Sequence, residues 1–150
     1  MSNDTLLRDL KLTRRDFDRL VSDRETVDLI TSASGDLQTV SDRANLAQAI
    51  INRLFTNKGE LSRLGHPDFG SRLYQLIGEP NNPRVRGLAE LYIRESLAAE
   101  SRIEAITGIE FAPPTRAADR DILIITIFIK PIAQNEPLSV TVPINLGGAA

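Results

Sequence analysis

The feature that most constrains the fold is a pair of β-prone segments near the C-terminal end. Residues 121–130 read DILIITIFIK and are apolar at even and odd positions alike, which is typical of a central strand covered on both faces. Residues 138–146 read LSVTVPINL and alternate between apolar and polar. The apolar positions of this second segment, which share one face, are Leu138, Val140, Val142, Ile144 and Leu146. Because Pro143 cannot donate a ladder hydrogen bond, we expect this strand at an exposed edge.

Helical patterns precede the strands. Residues 42–55 carry apolar side chains at helical spacing, residues 71–77 fit a short helix that Ser71 caps, and residues 83–99 fit a longer helix with Pro83 in its first turn. The apolar side of the longer helix is predicted to comprise Val85, Leu88, Leu91, Tyr92, Ala98 and Ala99. Its polar side carries Arg86, Glu90 and Arg94, four residues apart, which can form ion pairs.

Residues 102–111 alternate like a strand, which completes a three-stranded antiparallel meander. Near the N-terminus, Thr13 can cap a helix, and residues 26–31 and 36–40 fit a small hairpin around Gly35. The predicted fold class is therefore α+β: N-terminal helices and a hairpin, two or three central helices, and the C-terminal meander. We expect one globular domain, with residues 1–34 as a lead-in and 35–150 as the main body.

Composition excludes several function classes. The net charge is −2 and the basic residues are scattered, so no nucleic-acid partner is expected. The chain has no cysteine and one histidine, which argues against a disulfide scaffold or a metal centre. The longest apolar run, residues 122–129, is too short to cross a bilayer as a helix, and the first residues lack the features of a signal peptide. No cofactor is predicted.

One loop gathers residues that acid–base chemistry could use. Residues 59–73 read GELSRLGHPDFGSRL and contain Glu60, His66 and Asp68, with Glu79 shortly after them. A glycosidase needs two carboxyl groups that face each other across the scissile bond, and the sequence does not place any two of these acids at such a separation. No catalytic residue and no metal ligand is predicted.

The same loop is better explained as a shaped connection. Gly59 and Gly70 suit backbone conformations that other residues avoid, Pro67 fixes a bend, and Phe69 can anchor the loop to the core. Glu60 and Asp68 are then ordinary polar residues of the loop.

The order of these motifs resembles a known family. The run NLAQAIINRLFTNKGEL (residues 45–61), then Pro67-Asp68-Phe69-Gly70, then a helix ending in AAESRIEAI (residues 98–106), is similar to the GPW family of small baseplate wedge proteins, the sheath initiators of contractile phage tails and related injection systems. The resemblance extends over residues 35–146. The family carries a Glu-Pro-Arg triplet after its long helix; here Glu100 and Arg102 match it and Ser101 replaces the proline, which we expect to loosen the turn.

The resemblance implies a structural function rather than catalysis. It implies that the protein lies in the baseplate, in several copies per particle, six being expected. It also implies contacts with sheath subunits, other wedge subunits and tube-base or hub proteins. It also implies templating of the first sheath ring by exchange of β-strands, with the apolar strand from Leu138 to Leu146 as the partner contact. Assembly is expected in the cytoplasm, without a membrane segment.

Two alternatives stay open at this point. One is a peptidoglycan-cleaving, lysozyme-like baseplate enzyme that uses Glu60 with Asp68 or Glu79. The other is a generic baseplate adaptor that does not contact the sheath.

Overall fold

The computed structural model describes residues 42–114 and 116–147, with four short strands before them. These strands are β1 (Asp9–Leu10), β2 (Leu12–Arg14), β3 (Val27–Leu29) and β4 (Thr39–Val40). They are followed by α1 (Asp42–Phe55), α2 (Pro83–Leu97), β5 (Ile103–Ala112), β6 (Ile122–Pro131) and β7 (Leu138–Asn145), with short 3-10 turns at Ser62–Leu64, Leu73–Leu76 and Ala117–Asp119. Two α-helices and a three-stranded antiparallel sheet confirm the α+β class.

The N-terminal pairing differs from the predicted hairpin. β3 pairs antiparallel with β2, and β4 pairs antiparallel with β1, so β3 and β4 are not partners. Thr13 lies within β2, opposite Asp28, and so does not begin a helix. The rest of that predicted helix and the turn at Gly35 lie outside the described residues. The β-prone segments were recognisable, but local sequence patterns do not say which strands pair.

The C-terminal sheet has the order β5-β6-β7, which confirms β6 as the central strand and β7 as an edge. The prediction that β6 is covered on both faces was wrong. Its odd-numbered side chains are buried, whereas Ile122, Ile124 and Phe128 on the other face are only half-buried. The reason is that α1 and α2 both pack with the odd-numbered face, leaving the other face without a helix in the described part of the chain. The buried residues of β6 are Leu123, Ile125, Ile127, Ile129 and Pro131.

One core joins the helices to this sheet. α1 packs against β7 and α2, and α2 packs against β5. The helices contribute apolar side chains three or four residues apart, as amphipathic helices do. The buried members from the two helices are Leu46, Ile50, Leu54, Val85, Ala89, Ile93 and Leu97.

The predicted apolar side of α2 was partly wrong. Val85 is buried and Leu88 and Tyr92 are half-buried, but Leu91 is 54% exposed, and Ala98 and Ala99 are exposed beyond the end of the helix. The buried stripe instead follows Ala89, Ile93 and Leu97 from Val85 in steps of four residues.

A side chain caps the N-terminal end of α2, and polar side chains pair on its surface. Asn82 caps the helix, since its side-chain oxygen accepts a hydrogen bond from the Val85 N–H at 2.9 Å. Arg94 pairs with Glu90 at 2.9 Å as predicted, while the Arg86 Nε donates to Asn81 at 2.9 Å instead of joining that pair.

Candidate functional site

The loop singled out in the sequence, residues 59–73, is fastened at its base; we call its first part, residues 59–70, the signature loop. The Ser71 N–H donates to the Thr56 carbonyl at 2.8 Å, and the Lys58 N–H donates to the Ser71 carbonyl at 3.0 Å. The buried Ser71 hydroxyl donates to the Leu54 carbonyl in the last turn of α1. Ser71 also receives a hydrogen bond from the Leu73 N–H at 3.3 Å. The predicted cap position was wrong by one residue, since the N-cap of the 3-10 turn Leu73–Leu76 is Arg72, whose side chain makes no capping bond.

Gly70 allows the two arms of the loop to meet. Its φ is +105°, a left-handed conformation, and a Cβ at this position would lie 2.5 Å from the Thr56 carbonyl oxygen. Any other residue would therefore push the arms apart. The Gly70 carbonyl accepts a hydrogen bond from the buried Ser96 hydroxyl at 2.8 Å, which ties the loop to α2.

The tip of the loop is open to solvent. Residues 62–68 are all exposed, including His66, Pro67 and Asp68. Glu60 acts locally, since one of its carboxylate oxygens accepts the Asn57 N–H at 3.1 Å. Gly59 has a φ of +90°, in keeping with its predicted place in a turn. The tip is held by its own turns rather than by the core.

A second set of contacts surrounds Glu100, which is only 8% exposed. One carboxylate oxygen accepts the Arg102 Nε at 2.8 Å and the Arg102 backbone N–H at 3.2 Å, and the other accepts an Arg102 Nη at 3.1 Å. Such a two-pronged contact is among the stronger charge-assisted interactions. The Ile103 N–H closes the turn by donating to the Glu100 carbonyl at 3.2 Å, so the turn forms with Ser101 in place of the family proline.

The electrostatics of Glu100 follow from these neighbours. Burial by itself would raise the pKa of the Glu100 carboxyl. The hydrogen bonds from the Arg102 side chain and backbone, together with the positive charges of Arg102 and Arg53, outweigh burial and lower the pKa of Glu100 below its usual value. The group is therefore held as a carboxylate.

Arg53 connects this pair to the signature loop, and sequence reasoning missed it. Its guanidinium lies 4.0 Å from the Glu100 carboxylate and 4.5 Å above the centre of the Phe69 ring. The Arg53 Nε is buried without a hydrogen-bond acceptor in the described structure. The sequence signal was an arginine three residues after Ile50, on the flank of the apolar stripe of α1. Arg53, Glu100 and Arg102 form what we call the Glu100 cluster.

A second ion-pair group, also missed, fastens the loop base to α2. Glu95 lies 3.1 Å from Lys58 and 2.6 Å from Arg72, and the Arg72 guanidinium lies 4.5 Å above the Tyr92 ring. The hydrogen bond from Arg72 is the main cause that lowers the pKa of Glu95, and the bond from Lys58 adds to it. Both halves of the family signature, the loop and Glu100 with Arg102, therefore meet at the C-terminal half of α2.

The apolar side chains predicted as partner contacts lie elsewhere. Four of them, Val140, Val142, Ile144 and Leu146, are buried in the core of the chain itself, and Leu138 is half-buried against it. What β7 can offer a partner is therefore the backbone of its free edge. β6 is the only strand paired with β7 in the described part of the chain.

Two of the acids that were considered for catalysis are engaged in local contacts. Glu79 is engaged by Arg84 at 2.6 Å, and Glu60 by the backbone of Asn57. A cavity of about 20 Å³ beside Asp68 and Glu95 has room for one water molecule rather than a sugar ring. The described residues also contain no group of three His, Asp or Glu side chains that could hold a metal ion. Neither α1 nor α2 has the length and apolar content needed to cross a membrane.

Comparison with known proteins agrees with the resemblance found in the sequence. A model of the contractile injection system sheath initiators matches residues 19–128. A solved protein of Geobacter sulfurreducens, described as a "putative tail lysozyme", is 27% identical with a TM-score of 0.59, and the match covers 82% of this chain and 99% of that one. No curated protein matches the chain. Since the family match extends over well more than half of the sequence, the chain belongs to the contractile injection system sheath initiator family.

Proposed function

We propose that this protein is a non-enzymatic baseplate subunit that starts sheath assembly by accepting a β-strand from a sheath subunit along β7. Membership of the sheath initiator family gives it a structural place in the baseplate of a contractile injection system. The single observation that carries the finer proposal is the edge of β7, which is regular and uncharged and has no partner strand among the described residues other than β6.

The direction of the backbone groups on β7 supports this proposal. The Leu146 N–H donates to the Asp121 carbonyl at 2.7 Å, which places Leu146 and Asp121 in a hydrogen-bonded pair of the antiparallel ladder. Because such pairs alternate, Val140, Val142 and Ile144 also direct their backbone groups towards β6. Ser139, Thr141 and Pro143 direct theirs outwards, where an added strand can use them.

The opposite edge of the sheet is less suited to pairing. β5 carries two irregularities in its register, between Ile103 and Ala105 and between Ile106 and Gly108. It also has exposed acidic side chains, Glu104 paired with Lys130 at 2.9 Å and Glu110. Bulges and charges are features that discourage strand addition at an edge. β7 has neither, so a partner strand is expected at β7.

The signature loop and the Glu100 cluster supply a second surface. The loop is braced by Ser71, Ser96 and Glu95 and carries an exposed tip, while Arg53 joins it to Glu100. We assign this surface to contacts with other wedge subunits and with tube-base or hub proteins, in six copies per particle assembled in the cytoplasm. Glu100 and Arg102 would then hold the loop in position for those contacts.

The test uses a change that affects only the outer edge of β7. Thr141→Pro removes an outward N–H, while the bonds from β7 to β6 stay intact. Deletion of the strand is unsuitable, because Val140, Val142 and Ile144 belong to the core. We expect baseplates that contain the Thr141→Pro protein to lack sheath in negative-stain images.

The matched control is Thr141→Ala, which removes the hydroxyl 3.1 Å from the Thr126 hydroxyl but keeps the N–H. Sheaths should form with this variant. Thermal unfolding of both purified variants establishes that they fold. Sheaths of normal length on Thr141→Pro baseplates would refute strand addition at β7. Failure of the protein to co-purify with a sheath subunit would favour a generic adaptor instead.

A peptidoglycan-cleaving enzyme is the second candidate, because the similar Geobacter protein is described as a tail lysozyme. The carboxyl groups here speak against it. Of the acids that such an enzyme could use, Glu60 accepts a hydrogen bond from the Asn57 N–H and Glu79 pairs with Arg84. A cell-wall digestion assay with the purified protein tests this candidate. Cleavage of peptidoglycan that is lost in Glu60→Gln would overturn the structural proposal.

A further inference from the structure

The outward edge of β7 is interrupted at Pro143. By the alternation described above, Pro143 is one of the residues whose backbone faces away from β6, and proline has no N–H. Ser139 and Thr141 therefore offer both an N–H and a carbonyl to a strand on that side, whereas Pro143 offers only a carbonyl. A carbonyl of the added strand that came to lie opposite Pro143 would have no donor, and leaving it unpaired is costly.

Shortly after Pro143 the strand ends, at Asn145. The Leu146 carbonyl accepts the Gly78 N–H at 2.6 Å, and the Leu146 N–H is used by Asp121. The Asn145 side chain accepts the Gly147 N–H at 2.9 Å, which turns the backbone after the strand. The free edge suited to pairing is therefore the first part of β7, from Leu138 to Val142.

The two faces of β7 also set the chemistry of an added strand. Side chains directly opposite each other in a sheet lie on the same face. Side chains of the added strand that lie beside Val140 and Val142 would be on the face of the sheet that α1 covers. Burial favours apolar side chains there. Positions beside Ser139 and Thr141, both exposed, would lie on the open face, where polar side chains are suited.

We propose that β7 accepts a short segment with alternating apolar and polar residues, which pairs with residues 138–142 and ends opposite Pro143. This inference rests on the proposed strand addition and deepens it, since Pro143 then fixes both the length and the register of the added strand. Pro143 is a positioning residue, because its backbone has no N–H to bond the added strand and pairing therefore stops there.

Disulfide cross-linking can read the register directly, because the chain has no cysteine of its own. Single cysteines are placed at Ser139, Thr141 and Asn145, and a second cysteine is moved one residue at a time along the terminal segments of the sheath subunit from the same particle. A disulfide forms only where the two Cα atoms come within about 7 Å. The measurement is made on assembled baseplates.

With Pro143 present, we expect Ser139→Cys and Thr141→Cys each to cross-link to one sheath position, with those positions two residues apart. The yield at Asn145→Cys should be about tenfold lower, as the loss of one or two backbone hydrogen bonds implies. In a Pro143→Val background, which restores the N–H, cross-links at Asn145→Cys should rise towards those at Thr141→Cys.

The other outcomes separate the two proposals. Efficient cross-linking at Asn145→Cys in the presence of Pro143, or cross-links that Pro143→Val leaves unchanged, would overturn the assignment to Pro143 while strand addition at β7 stands. Absence of cross-links at all three positions would overturn both proposals. Thermal unfolding of each cysteine variant before assembly ensures that a missing cross-link does not reflect a misfolded protein.

Discussion

At the scale of single residues, the site depends on contacts between parts of the sequence that lie far apart. The sequence identified Glu100 and Arg102 through a family motif, and it identified Phe69 and Gly70 as parts of a loop. It did not identify Arg53, which joins them, because no local pattern shows that a helical arginine will lie over Phe69 and near Glu100. Only the packing of α1 against the loop and α2 brings the three together.

Glu100→Gln should destabilise the protein at neutral pH. The change keeps the shape of the side chain but removes the carboxylate that binds Arg102 and faces Arg53. We expect the free energy of unfolding to fall by about 2 kcal/mol, measured by urea unfolding at pH 7. The matched control, Glu90→Gln, breaks an exposed pair with Arg94 and should cost no more than about 0.5 kcal/mol.

The same pair of proteins gives a pH test. Since the pKa of Glu100 is lowered by folding, its stabilising contribution is present above the ordinary pKa of 4.5 and is lost as the pH falls through the lowered value. The difference in stability between the original protein and Glu100→Gln should therefore shrink in acid below pH 4.5. A difference that stays constant or grows on acidification would contradict this.

Gly70→Ala should be more harmful than Gly65→Ala. Both glycines have a positive φ, +105° and +85°, so both substitutions incur a cost of about 1 kcal/mol for the left-handed backbone. An added Cβ meets the Thr56 carbonyl oxygen at 2.5 Å in Gly70, but nothing within 4 Å in Gly65. We expect about 2 kcal/mol of additional destabilisation at Gly70 by thermal unfolding. Equal effects would show that the arms of the loop separate easily.

At the scale of elements, sequence patterns located most of the regular structure but not its pairing. α1, α2 and β5 to β7 lie close to the predicted segments, because amphipathic periodicity and caps are local properties. The predicted partners of β3 and β4 were wrong, and the second face of β6 proved to be only half-buried, with no helix from the described residues against it. Both depend on which elements approach from elsewhere in the chain, and a run of apolar residues does not contain that information.

Ser96→Ala should loosen the signature loop without unfolding α2. The Ser96 hydroxyl is buried and donates to the Gly70 carbonyl, which would lose its partner. We expect a loss of about 1–2 kcal/mol and faster hydrogen exchange at the loop base, read at the Ser71 amide. Ser101→Ala, at an exposed position, serves as the control and should leave exchange in the loop unchanged.

At the scale of the whole molecule, the chain carries two candidate surfaces on one core. The edge of β7 lies in the sheet, whereas the signature loop and the Glu100 cluster lie at the ends of α1 and α2. The family resemblance predicted that such a protein connects two sets of partners. The sequence did not show which residues form each surface. That assignment needed the strand order and the contacts of Arg53.

Variants of the two surfaces should fail at different steps. Arg102→Gln weakens the hold on Glu100, so we expect less of this protein in purified baseplates by quantitative mass spectrometry, with Arg94→Gln at an exposed pair as the control. Thr141→Pro should be incorporated normally and should block only the sheath. If Arg102→Gln protein enters baseplates at the normal level, the Glu100 cluster does not serve wedge contacts.

The irregular backbone of β5 has a consequence for how copies of this protein behave at high concentration. Two copies that met edge to edge through β7 would use both of their regular edges and leave a bulged β5 at each end. Such a doubled sheet has no regular edge from which to grow, so association closes instead of continuing into a fibre. The irregular edge of β5 would therefore limit association through β7 to two copies and oppose amyloid-like growth.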